Sequence, residues 1–187
     1  MRKTHFGLVG ALILGTASAE ESQLVLAFTE PAAVGSVTND GVMGGLSDGS
    51  VTLLDNGVVE FSGVLSTENN GGFSSWTMAN RAFDLSGFAG LSVYAKGDGR
   101  LYKLRLQTDE LFNGSRVSFE APLPVTEEWT DARVNFADLR ATWRGRALER
   151  VFDPTKVSSI GVILADKVDG PFLLQVESVK AAGANLE

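Results

Sequence analysis

The sequence has no cysteine in 187 residues, which excludes disulfides, thiol nucleophiles and cysteine zinc sites. Its single histidine, His5, falls in a segment that reads as a removable leader, so the mature chain carries no imidazole. Ser-His triads, histidine metal sites and imidazole pH switches are excluded with it. Basic blocks are missing too. Sixteen Lys and Arg stand against 23 Asp and Glu, a net charge of −7, and removing Arg2 and Lys3 with the leader takes it to −9. An acidic chain without a basic cluster is a poor match for nucleic acid or an anionic membrane surface. Beyond the leader there is no apolar run near the roughly 18 residues that span a bilayer.

Residues 1–19 have the parts of a secretory signal. Arg2 and Lys3 give a positive start, Phe6 to Leu14 an apolar run, and Ala17-Ser18-Ala19 a small-residue cleavage site before Glu20. The run is too short for a span, and no cysteine follows for a lipid anchor. The segment also lacks the Arg- and Ser-rich character of a mitochondrial presequence. The expectation is a soluble protein exported to a bacterial periplasm or secreted. What remains is one ordinary domain, expected over residues 24–181 with a frayed tail at 182–187, large enough to fold on its own core.

Glycine is abundant, with 21 residues, and helical periodicity is weak. Short runs with a period of two recur instead. Tyr102, Leu104 and Leu106 share one face while Lys103, Arg105 and Gln107 share the other, the pattern of a strand with one wet side. Val58–Val64, Leu91–Ala95, Val117–Glu120, Ala132–Phe136 and Phe172–Glu177 behave similarly, and Ile160–Leu164 suits a buried strand. Asn56-Gly57, Asn70-Gly71-Gly72, Gly97-Asp98-Gly99, Asn113-Gly114 and Asp169-Gly170-Pro171 supply turns between them. Many short strands at this spacing predict an all-β sandwich or barrel, with a short helix near Phe136–Arg140 and a turn near Asp153–Lys156.

Four glycine-rich segments are the candidates for binding. In the first, Asn39, Asp40 and Met43 precede Gly44-Gly45; it lacks the lysine and spacing of a phosphate loop, and Asx turns that pin the loop are the plainer reading. In the second, Glu68, Asn69 and Asn70 precede Gly71-Gly72, where amides suit a sugar, a peptide backbone or their own turn. The third places Lys96, Asp98 and Arg100 around a tight turn before Tyr102, which suits an oxyanion or a solvated hairpin. The fourth runs from Ala165 to Phe172. Aromatic stacking platforms are conceivable on Trp76, Trp129, Trp143, Tyr94 and Tyr102; Trp143, beside Arg144 and Arg146, is the best candidate for exposure. Paired carboxylates for a glycosidase cannot be picked out among 23 acids, and no calcium-loop spacing occurs around Asp40, Asp98, Asp166 or Asp169. No catalytic residue, metal or cofactor is expected.

The ordered set of Asn39-Asp40-Gly41-Val42-Met43-Gly44-Gly45-Leu46-Ser47, Phe61-Ser62-Gly63, Glu68-Asn69-Asn70-Gly71-Gly72-Phe73, Lys96-Gly97-Asp98-Gly99-Arg100-Leu101-Tyr102, Arg144-Gly145-Arg146, Ile160-Gly161, Asp166-Lys167 and Gly170-Pro171-Phe172 resembles the complex I intermediate-associated protein 30 family over about residues 28–181. The resemblance implies a galactose-binding-domain-like jelly-roll β-sandwich. It also implies a non-enzymatic, chaperone-like role on a membrane-protein complex or assembly intermediate, as for assembly factors of NADH:ubiquinone oxidoreductase. Where relatives often continue Gly-Gly-Phe with Ala-Ser-Val-Arg, this chain has Ser74-Ser75-Trp76-Thr77 and lacks the basic side chain. The mitochondrial factors work on the matrix face, opposite to where a signal peptide would deliver this chain. The alternative is a carbohydrate-binding module of the cell envelope, with Asn69, Asn70, Trp143 and Arg146 facing the sugar.

Overall fold

A computed structural model describes residues 22–183. The leader expected at 1–19 and residues 184–187 lie outside the described residues. Thirteen strands fill the chain among the described residues: β1 Ser22–Ala27, β2 Ser36–Asn39, β3 Asp48–Leu53, β4 Val59–Leu65, β5 Ser74–Ala79, β6 Gly90–Lys96, β7 Tyr102–Phe112, β8 Ser115–Pro122, β9 Thr130–Asn135, β10 Arg140–Trp143, β11 Arg146–Ala147, β12 Val157–Leu164 and β13 Gly170–Ala182. Only short 3-10 turns interrupt them. One at Phe136–Asp138 stands where the short helix is expected, and one at Pro154–Lys156 is capped by Asp153, whose Oδ1 accepts the Thr155 N–H at 3.0 Å.

The strands form two antiparallel sheets. One has the order β3-β4-β13-β6-β9, with β1 also paired to β13; the other runs β11-β10-β8-β7-β12-β5-β2. This is a jelly-roll β-sandwich, as the family resemblance implies, and it is one of the two architectures, sandwich or barrel, that the alternating strands predict. Along β7, Tyr102, Leu104 and Leu106 point inward, fully buried, while Lys103, Arg105 and Gln107 face out. They meet Phe61, Leu91, Val93, Leu174 and Val176 from the first sheet and Trp76, Phe119, Ile160 and Val162 from their own. Each such side chain contributes about 1.5–3 kcal/mol by leaving water. Trp76, at the centre, also donates its indole N–H to the Val34 carbonyl at 2.6 Å. The last strand does not end where its sequence pattern fades. Ala181 and Ala182 stay in β13 because β1 and β6 pair them on both sides.

The register also sets the polarity of the sandwich. Tyr102, Leu164 and Ser74 are level across β7, β12 and β5, and Gly170 is level with Leu65 across β13 and β4. The loops before and after these residues therefore gather at one end. β7 then runs to Phe112, roughly 30 Å away at strand rise, where the β7–β8 and β10–β11 hairpins turn side by side.

Candidate functional site

The loop end is organised by a carboxylate. Asp40 has no solvent exposure and starts a 3-10 turn, Asp40–Met43, that closes on Gly44 in the left-handed region. Its Oδ1 accepts the Ser47 N–H at 2.9 Å. Its Oδ2 accepts the Ser47 hydroxyl at 2.6 Å and the N–H groups of Gly72 at 2.5 Å and Phe73 at 3.2 Å. Burial works against the charge, but the Ser47, Gly72 and Phe73 donors outweigh it and hold the Asp40 carboxyl below its ordinary value. Neighbouring Asn39 does the same with an amide. Its Oδ1 accepts from the Ser74 hydroxyl at 2.6 Å and the Gly49 N–H at 3.2 Å, while its Nδ2 donates to the Gly49 carbonyl at 3.0 Å. The Asn39-Asp40 pair thus ties the 39–47 loop to the 66–73 loop and to β3.

The other two glycine-rich segments lock together in the same way. Arg100 forms a two-pronged pair with Asp166, Nε to Oδ2 and Nη2 to Oδ1 both at 2.8 Å, with the Asp166 side chain almost fully buried. The guanidinium also donates to the carbonyls of Pro171, at 2.8 Å, and Val168. Arg100 in turn holds the Asp166 carboxyl below its ordinary value. Asp98 accepts the Leu173 N–H at 2.6 Å and the Tyr102 hydroxyl at 3.2 Å. Two further contacts join this pair of loops to the first: the Thr67 N–H to Asp169 at 2.6 Å, and the Lys167 ammonium to the Gly71 carbonyl at 2.7 Å.

The structure therefore divides the sequence-nominated residues among three places. Asn39, Asp40, Met43, Glu68, Asn69, Asn70, Asp98, Arg100 and Tyr102 come together at the loop end. Trp143, Arg144 and Arg146 sit at the opposite end on the β10–β11 hairpin. Lys96 stands on the outer face of the first sheet, its ammonium 5.7 Å over the Trp129 ring, which stacks on Tyr94. Within the loop end Asp40 and Tyr102 are buried, Asn39 and Arg100 half-buried, and Glu68, Asn69, Asn70 and Asp98 exposed. Tyr102 is 1% exposed, and burial, together with Asp98, pushes its phenol upward in pKa, so it offers no stacking face. Asn69 and Asn70 adopt left-handed backbone (φ 54° and 61°), and Asn69 donates to the Gly44 carbonyl at 3.2 Å. Trp143 is half-buried rather than exposed. Phe112 meets it edge-on at 5.3 Å, and the Arg144 guanidinium lies 5.0 Å over its ring.

Sequence reasoning passed over Ser47, Thr67 and Asp169 as partners. Ser47 supplies its hydroxyl and amide to Asp40 seven residues back, and Thr67 its amide to Asp169 across 102 residues, a pairing that nothing local marks. The four acids considered for calcium are each engaged by protein donors, and among the described residues no three of His, Cys, Asp or Glu gather around one point. No helix among the described residues is long and apolar enough to cross a membrane.

Beside exposed Glu68, Asn69, Asn70 and Asp98, the loop end presents large apolar side chains outward: Met43 is 62% exposed and Leu46 56%, and Leu101 and Val168 on the other two segments are exposed too. A sequence profile of the complex I intermediate-associated protein 30 family matches residues 26–176. The chain belongs to this family. It is similar to a probable complex I intermediate-associated protein 30, mitochondrial, of Caenorhabditis elegans, 28% identical over 155 residues, or 72% of this chain and 46% of the relative. It is likewise similar to the mitochondrial protein of that name in Mus musculus, 30% identical over 105 residues, or 52% of this chain and 31% of the relative. It spans less than half the length of either. Among solved structures, a family 11 carbohydrate-binding module of a Clostridium thermocellum cellulosomal cellulase matches with a TM-score of 0.63 at 16% identity, covering 89% of this chain and 97% of the module. A family 30 module of another Clostridium thermocellum cellulosomal cellulase matches with a TM-score of 0.55, also at 16% identity, covering 88% and 99%. For these modules the likeness is one of fold.

Proposed function

We propose that this member of the complex I intermediate-associated protein 30 family is a non-enzymatic, exported binding and assembly module that holds a membrane-protein complex or assembly intermediate against its loop end. The observation that carries the reading is the pairing of exposed Met43 and Leu46 with a loop framework fastened beneath them by Asp40. Large apolar side chains displayed on pinned loops suit a protein partner, because little ordering entropy remains to be lost on docking. The relatives' name supports a complex I intermediate as the class of client. The signal-like residues 1–19 support delivery across a bacterial inner membrane, so the client's exported face is the one in reach.

A carbohydrate-binding role has weaker support. Of its nominated aromatic platforms, Tyr102 is buried and Trp143 is turned onto Phe112. The outer face of the second sheet is closed by its own polar pairs, Arg105 with Glu120 at 2.7 Å and Gln107 with Ser118 at 3.2 Å.

The test is capture from detergent-solubilised envelope of the host on the immobilised protein, beside a Met43→Lys/Leu46→Lys variant. Recovery of one defined membrane complex, lost in the variant, is the expected result. Recovery of glycan or peptidoglycan fragments instead replaces this reading with the carbohydrate one. An empty column with folded protein overturns both.

A further inference from the structure

Edge strands expose unpaired backbone N–H and C=O groups, and proteins commonly blunt them with charge, proline or shortness. Most edges of this sandwich follow that rule. β3 begins with Asp48, β9 carries Asp131 and Arg133, β2 has four residues and β11 two. β1 does not. It is Ser22-Gln23-Leu24-Val25-Leu26-Ala27, six residues with no charge and no proline, paired to β13 on one side alone. Leu24, in its middle, is 58% exposed.

Two clefts, of about 280 and 370 Å³, run along this strand and share Val25 and Arg81. Apolar Phe83, Leu85 and Met78 line them, and the rim carries one charge of each sign. The Arg81 guanidinium lies 4.3 Å over the Phe83 ring and has no ion-pair partner among the described residues. Asp84, three residues on, is exposed and accepts from Ser86, whose N–H lies at 3.0 Å.

We infer that the β1 edge is a homodimer interface, in which β1 of two copies pair antiparallel across a two-fold axis and each Arg81 faces the other copy's Asp84. Antiparallel pairing of a strand with its own copy is isologous, so one surface serves both sides. A rim with a single cation and a single anion is self-complementary under that axis, whereas a foreign strand would have to bring both signs in the matching order. The neutral strand adds no like-charge repulsion at the centre of an otherwise acidic molecule. This inference stands apart from the loop end, since β1 pairs with the far half of β13, at residues 178–182.

The experiment is sedimentation of the protein purified from its host, from low to high micromolar concentration. A dimer is expected. Leu24→Lys should raise its dissociation constant about tenfold or more, while Leu111→Lys, equally exposed on β7, should leave it unchanged. Arg81→Glu should weaken the dimer, and adding Asp84→Lys should restore it. That rescue also separates a charge contact from damage to the fold. A monomer at all concentrations overturns the inference. So does a dimer indifferent to Leu24→Lys, or a protein that is monomeric alone and pairs only with a foreign chain.

Discussion

The two ends of the sandwich answer the same problem, how to close strands, in opposite ways. At the hairpin end the chain turns on itself: Asn113-Gly114 and Arg144-Gly145 each place two successive residues at positive φ, as two-residue hairpins require, and the two turns meet only through the Phe112–Trp143 ring contact. At the loop end four segments from across the chain are fastened by side chains, with a buried carboxylate at the hub. The first solution leaves side chains free and the second consumes them. Most polar residues nominated as binders at the loop end, Asn39, Asp40, Asn69, Asp98, Arg100 and Tyr102, therefore turn out to be fasteners, while Glu68, Asn70 and the apolar Met43 and Leu46 stay exposed.

The sharpest way to break this contrast is Asp40→Ala. It strands the Gly72 and Phe73 amides and the Ser47 hydroxyl in a buried site, and should cost about 3–5 kcal/mol of stability in urea unfolding. Arg100→Ala leaves the Asp166 carboxylate almost buried and unpaired, a loss of about 2–4 kcal/mol by the same measurement. Acid should separate the ends without mutation. The folded-state values of Asp40 and Asp166 are depressed, so their stabilisation is complete above the unfolded Asp value of about 3.9 and is lost as pH falls through the depressed values. Hydrogen exchange at Gly72 and Phe73 should accelerate over that acidic range, with the β7–β8 hairpin lagging. Smallest of all, Arg144→Ala should change stability by less than about 0.5 kcal/mol, because its guanidinium covers one face of Trp143 in solvent.

The period-two runs of β7, β9 and β13 are legible in the sequence because each has one wet and one dry face. β2 and β5 are not. Ser74-Ser75-Trp76-Thr77-Met78 has polar residues that are buried by packing between β12 and β2, so its alternation is masked. β1, uncharged throughout, has no polar face to alternate with. At the site, the asparagine-glycine and aspartate-glycine segments mark where loops are pinned but not to what. Asp40 meets Gly72 across 32 residues and Thr67 meets Asp169 across 102, and such pairings arise only from topology. The reading of Trp143 as exposed followed its charged neighbours, yet Phe112, distant in sequence, is what covers it.

Those long-range fasteners have a consequence for when the protein can act. The hydrogen bond from Thr67 to Asp169 and the pair between Arg100 and Asp166 need the segment from Asp166 onward, after β12, to be in place. Contacts of such separation form only after nearly all loop closure is complete. A chain trimmed short of Asp166 keeps most strands but lacks the finished loop platform. The loop platform under Met43 and Leu46 is thus finished only when the fold is complete, so any docking there, as proposed above, waits on the whole chain.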